Sequence, residues 1–121
     1  MDKQITLYGA GTTRSSRCRW TLMELGLNFH YVDNNALIGT AELKKIQPLG
    51  KLPAIVIDGD SFFESTAICT HLCDLYPEKN LIGSVGSRRR ALHEQWCSFA
   101  LTEIEAYLWS SYKHTSLYPA E

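Results

Sequence analysis

The sequence has no long apolar run, no excess of charge of either sign, no Cys-x-x-Cys pair and no internal repeat. Its longest strongly apolar stretch, Leu52 to Ile57, is far below the roughly 20 residues of a membrane-spanning helix. Twelve basic and thirteen acidic side chains leave a formal net charge of −1, which gives no bulk electrostatic case for nucleic acid or an anionic membrane as partner. Met1-Asp2-Lys3-Gln4 runs straight into a strand-like segment without an apolar leader, so the expected address is the cytoplasm. Cysteine is sparse. Cys18, Cys69, Cys73 and Cys97 read as small buried apolar side chains in helices, and no second close ligand pair joins Cys69 and Cys73, so no metal is expected.

What is present is a 121-residue chain with 45% hydrophobic and 21% charged residues, the composition of a soluble globular domain. Gln4 to Tyr8 alternates polar and apolar residues and stops at Gly9, as a strand does. A hydroxyl-rich loop follows, then a helix from about Thr13–Ser16 that carries Cys18, Leu22 and Leu25 on one face and ends at Gly26. Phe29, Tyr31 and Asp33 suggest a second strand, and Thr40 caps a short helix over 41–46. Asp58-Gly59-Asp60 between Ala54–Ile57 and Ser61–Phe63 signals a hairpin, after which Ser65 is expected to cap a helix running to Tyr76. The order β-α-β-α-β-β-α predicts a small mixed α/β sheet covered by helices. Beyond a loose, glycine-containing link, the spacing predicts one long helix over 87–112, with Cys97, Leu101, Ile104, Leu108 and Tyr112 in an apolar stripe widened by Trp96 and Phe99.

The chemistry-bearing residues gather in three places. Arg14, Arg17 and Arg19 surround the start of the first helix, and no acidic residue lies between Lys3 and Met23. A loop running into a helix N-terminus presents backbone N–H groups and a positive dipole end, so this corner suits an anion or a thiolate; a solvated helix face produces the same arginines. Thr12, Thr13, Ser15 and Ser16 place hydroxyls at that corner, as donors to a ligand sulfur or as simple caps. Gly50-Lys51-Leu52-Pro53-Ala54 puts a proline at a strand's first residue, and Glu64-Ser65 offers a carboxylate and a hydroxyl that together suit an amino-acid zwitterion.

Leu7-Tyr8-Gly9, the hydroxyl loop, Arg17-Cys18-Arg19, Leu25-Gly26-Leu27, Gly50-Lys51-Leu52-Pro53-Ala54 and Glu64-Ser65-x-Ala67-Ile68 occur in the order and spacing of one family. The chain resembles the glutathione transferases, most closely the bacterial, zeta- and phi-type branches that use a hydroxyl residue. The resemblance implies a thioredoxin-like, glutathione-binding domain over residues 1–80 and the first helix of an incomplete all-helical domain over 87–121. It implies Thr12 as the thiol-activating hydroxyl, with Thr13, Ser15 and Ser16 as alternatives. Arg14, Lys51, Leu52, Pro53, Glu64 and Ser65 are the implied glutathione contacts: Leu52 by its backbone beside a cis Pro53, Glu64 and Ser65 at the γ-glutamyl end, and Lys51 at the glycine carboxylate. Arg14 stands where beta-type relatives carry a cysteine, so a mixed-disulfide mechanism lacks its nucleophile.

The implied function is detoxification-type transfer: glutathione as co-substrate, its thiol activated to attack an electrophilic small molecule or a peroxide, in a cytoplasmic homodimer. The competing expectation is a non-catalytic module of the same fold that serves as a docking surface. A glutaredoxin-like exchange enzyme is disfavoured by the missing Cys-x-x-Cys. The apolar helix calls for a covering partner, either further helices or a second chain.

Overall fold

Residues 2–118 are described by a computed structural model, and they divide into two compact units that meet in sequence between Leu81 and Ile82. In the first unit, β1 (Ile5–Gly9) leads to helix α1 (Ser15–Glu24), β2 (His30–Asp33), a 3-10 turn (Asn35–Leu37) and the short α2 (Ala41–Lys44). The hairpin β3 (Ala54–Ile57) and β4 (Asp60–Phe63) and helix α3 (Ser65–Leu75) complete it. The strand order is β2-β1-β3-β4, with β1 parallel to β2 and antiparallel to β3, and β3 antiparallel to β4. This is the expected mixed α/β sheet, with strand and helix bounds that differ by a residue or two.

Alternation along the strands sorts the core into two layers. Ile5 and Leu7 of β1 and Ile55 and Ile57 of β3 pack with Cys18, Leu22 and Leu25 of α1 and Ile68 and Leu72 of α3. Ala54 joins Leu37 and Leu43 in a second cluster that includes Tyr8, Val32 and Leu52. Helix α1 ends with Gly26 at φ 69°; Gly26 N–H bonds the Met23 carbonyl and Leu27 N–H the Leu22 carbonyl, the two bonds of a Schellman turn. Thr40 caps α2 by accepting from Leu43 N–H at 3.2 Å. The two-residue turn Asp58-Gly59 pairs Ile57 with Asp60, as its sequence predicts.

Two expectations change. Ser65 is the first residue of α3, not its cap: Glu64 holds the cap position at φ 71°, ψ 109° and makes no side-chain capping bond. The left-handed backbone at Glu64 turns the chain abruptly out of β4, which moves the helix start one residue earlier. In the second unit, the long helix is built of α4 (Arg88–Phe99), a π-helical stretch (Ala100–Glu105), α5 (Ala106–Tyr112) and a second π stretch (Lys113–Leu117). Wider i→i+5 turns rotate the residues that follow, so a stripe counted at 3.6 residues per turn does not stay on one line. Ser87 caps α4 by accepting from Arg90 N–H at 3.1 Å, and Arg90 pairs with Glu94 one turn on at 2.7 Å. Trp96 and Phe99 meet edge to face, and Trp109 stacks on Tyr112. Met1 and residues 119–121, which belong to the two expected domains, lie outside the described residues.

Candidate functional site

Sheet register assembles the site from distant segments. Tyr8 of β1 pairs with Ala54 of β3, and Ala54 pairs with Phe63 of β4. Because β3 runs against β1, the residue before β3 and the residue after β4 fall at the end of the sheet where β1 gives way to the hydroxyl loop. Pro53 and Glu64 therefore share one edge with residues 10–14. The Leu52–Pro53 peptide bond is cis. Helix α1 is tied to the start of α3 at the same edge: Arg17 Nη1 donates to Ser65 Oγ at 3.3 Å, and Cys18 Sγ donates to the Ser65 carbonyl at 3.8 Å.

The four hydroxyls at this edge differ in how they are occupied. Ser15 is fully buried; its Oγ accepts from Ala10 N–H at 3.0 Å and donates to the Ala10 carbonyl at 2.9 Å. Thr13 donates to the same carbonyl at 2.9 Å and touches the Ser15 hydroxyl. Ser16 donates to the Thr13 carbonyl at 3.1 Å. Thr12 is exposed, and its hydroxyl is committed to no partner among the described residues. Ser15 also explains Gly9: a Cβ at that position would lie 2.6 Å from Ser15 Cβ and 2.8 Å from the Tyr31 ring.

The helix N-terminus is less open than its sequence suggests. Ser16 N–H bonds the Thr13 carbonyl at 3.2 Å and Arg17 N–H the Arg14 carbonyl at 3.1 Å, because the chain enters α1 through tight i→i+3 turns. Local carbonyls therefore already occupy two of the N–H groups expected to face a ligand. Of the basic residues, Arg19 stacks its guanidinium on Tyr31, 4.9 Å from the ring centre, and Arg17 reaches Ser65. Arg14 holds the position before α1 without a side-chain cap. Lys51 is exposed, and its backbone N–H faces the side chain of buried Gln47 at 3.4 Å.

Residues 7–80 match the family model described as "Glutathione S-transferase, N-terminal domain". The chain belongs to the glutathione S-transferase family. It is 36% identical over 111 residues to Glutathione S-transferase Z1 of Arabidopsis thaliana, covering 88% of this chain and 49% of that protein. The crystal structure of poplar glutathione transferase F1 superposes with a TM-score of 0.82 at 26% identity, over 98% of this chain and 58% of that one. Elongation factor 1-gamma 3 of Oryza sativa subsp. japonica is 36% identical over 85 residues, 69% of this chain and 19% of that protein. The chain spans about half the length of the glutathione transferases it matches, 46%, 42% and 49% in three cases.

Within this glutathione S-transferase fold, two contacts at the site go beyond what the sequence predicts. Arg17 is expected from sequence as one of three arginines at the start of α1; its placement on Ser65 depends on α1 packing against α3, which no local pattern encodes. Cys18 and Cys69 lie 51 positions apart, yet their sulfurs approach to 4.0 Å between α1 and α3. The hydrogen-bonded Cys69 sulfur, and after it burial, push the Cys18 thiol far above its ordinary range, whereas Cys69 is drawn down to about 7 by the Cys18 thiol, with Thr21 and the Arg17 charge adding to it.

Proposed function

We propose that the chain binds reduced glutathione at the sheet edge formed by the Ala10–Arg14 loop, Leu52–Pro53 and Glu64–Ser65, and activates its thiol for attack on an electrophilic small molecule or a peroxide. The observation that carries this reading is the register that brings Pro53 and Glu64 beside the hydroxyl loop. The exposed Glu64 carboxylate accepts from the γ-glutamyl ammonium, and Ser65, at the start of an eleven-residue helix, faces the adjoining carboxylate. The Leu52 backbone pairs with the cysteinyl unit. Arg14 and Lys51 supply positive charge to a tripeptide that carries two carboxylates.

Thiol activation falls to Thr12, the one hydroxyl of the four that is exposed and uncommitted. A free thiol titrates near 8.5, and a hydrogen bond to the charged form contributes about 1.5–3 kcal/mol, equivalent to about one to two pKa units. That is enough to make the thiolate a major species at neutral pH. Thr13, Ser15 and Ser16 are weaker candidates because their protons already serve backbone carbonyls.

The second unit exposes Trp96, Tyr107, Leu108 and Tyr112. An apolar surface of that kind calls for cover, and we assign it to a homodimer contact. Calorimetric titration of reduced glutathione into the chain, followed by a conjugation assay with an electrophile, tests the reading. Absence of heat at millimolar glutathione refutes it. The likeness to Elongation factor 1-gamma 3 would then favour the second reading, a docking module of the same fold without thiol chemistry.

A further inference from the structure

We propose that Cys18 and Cys69 form a peroxide-responsive dithiol that closes to an intramolecular disulfide and staples α1 to α3. The proposal does not depend on glutathione binding. The two sulfurs sit 4.0 Å apart, both free, in the seam where α1 and α3 pack over the sheet. A disulfide requires a separation of about 2.05 Å, so about 2 Å of approach is needed, within the range of side-chain torsion and a small helix slide.

The two thiols are unequal in the way a reactive and a resolving cysteine must be. Cys18 is fully buried, holds its proton and points it at the Ser65 carbonyl. Cys69 is only partly buried, lies near the Arg17 charge, and ionises more readily. A hydroperoxide is the oxidant. The Cys69 thiolate sulfur attacks one peroxide oxygen; the S–O bond forms, the O–O bond breaks, and the departing alkoxide or hydroxide takes up a proton. Cys18 sulfur then attacks Cys69 sulfur; the S–S bond forms, the S–O bond breaks, and hydroxide leaves as water with the Cys18 proton. Two thiols have lost two electrons and two protons, and the hydroperoxide has become an alcohol, or water, plus water. Oxidation removes the Cys18 S–H donor from the Ser65 carbonyl, so the redox state of the pair is transmitted to the first residue of α3.

The test uses the full chain treated with stoichiometric hydrogen peroxide, alkylated and mapped by mass spectrometry. The expected result is one cross-linked peptide pair joining Cys18 to Cys69, reversed by dithiothreitol, with Cys73 and Cys97 alkylated as in the untreated chain. In Cys18→Ser, the Cys69 sulfenic acid should persist and be captured by dimedone. In Cys69→Ser, which keeps the buried residue intact should the first variant fold poorly, Cys18 should resist peroxide. Recovery of Cys18 as a free thiol while Cys69 is oxidised to sulfinic acid, or a cross-link from Cys69 to any other cysteine, would overturn the proposal.

Discussion

Replacing Ser15 with alanine separates the structural use of a hydroxyl from its chemical use, and the structure sets the size of the effect. The Ser15 hydroxyl serves both backbone groups of Ala10, accepting from its N–H at 3.0 Å and donating to its carbonyl at 2.9 Å. The carbonyl loses little in the variant, because Thr13 N–H at 3.0 Å and Thr13 Oγ1 at 2.9 Å remain on it. The N–H of Ala10, a buried residue, loses its acceptor. An orphaned buried donor costs about 1–3 kcal/mol. Taking about 2 kcal/mol, the thermal midpoint of a unit of this size should fall by about 8–16 °C, and the urea midpoint by about 1 M at an unchanged m-value. Circular dichroism during urea and thermal unfolding reads both. With Ser15 as a structural tie, bound glutathione should keep its thiolate absorbance in the folded variant. A stability loss below about 0.5 kcal/mol, accompanied by loss of the thiolate signal, would refute the assignment and return Ser15 to the role given to Thr12.

Four further outcomes are expected. Thr12→Ala should raise the pKa of bound glutathione by about one to two units while leaving its calorimetric affinity within a few-fold. Glu64→Ala should weaken glutathione binding by about tenfold or more, since the ligand ammonium loses a charge-assisted acceptor; an unchanged affinity would remove Glu64 from the site. Stability should pass through a maximum as pH rises. Cys69, lower in the folded chain than in the unfolded one, adds stability between about pH 7 and the ordinary thiol value; Cys18, higher in the folded chain, retains a proton the unfolded chain releases, so stability falls above about pH 8.5. Urea midpoints across that range should show the rise disappear in Cys69→Ser. Sedimentation at micromolar concentration should give a dimer; a soluble monomer resistant to proteolysis beyond Gly86 would show that the apolar helix is satisfied within its own chain.

The element order was legible in the sequence because it rests on local physics. Alternation marks β1, Gly26 stops α1, Thr40 caps α2, and Asp58-Gly59 fixes the hairpin register, each through bonds that span only a few residues. The Glu64-Ser65 and Leu52-Pro53 pairs were legible as motifs for a similar reason, since their residue types and spacing are written directly in the chain. Tertiary structure alone decided which hydroxyl is spent. Thr12, Thr13, Ser15 and Ser16 are near-equivalent as text, and only the fold of the loop back onto Ala10 buries Ser15 and leaves Thr12 facing out. The same holds for the start of α3, where a left-handed Glu64 overrides the capping preference of Ser65. In the long helix the difference is one of local geometry, where π turns displace a stripe counted at ideal pitch. Arg17 on Ser65 and Cys18 against Cys69 are contacts of high sequence separation, 48 and 51 residues. A sequence pattern carries helix and strand periods; it does not carry the packing of one helix on another, which is where those two contacts arise.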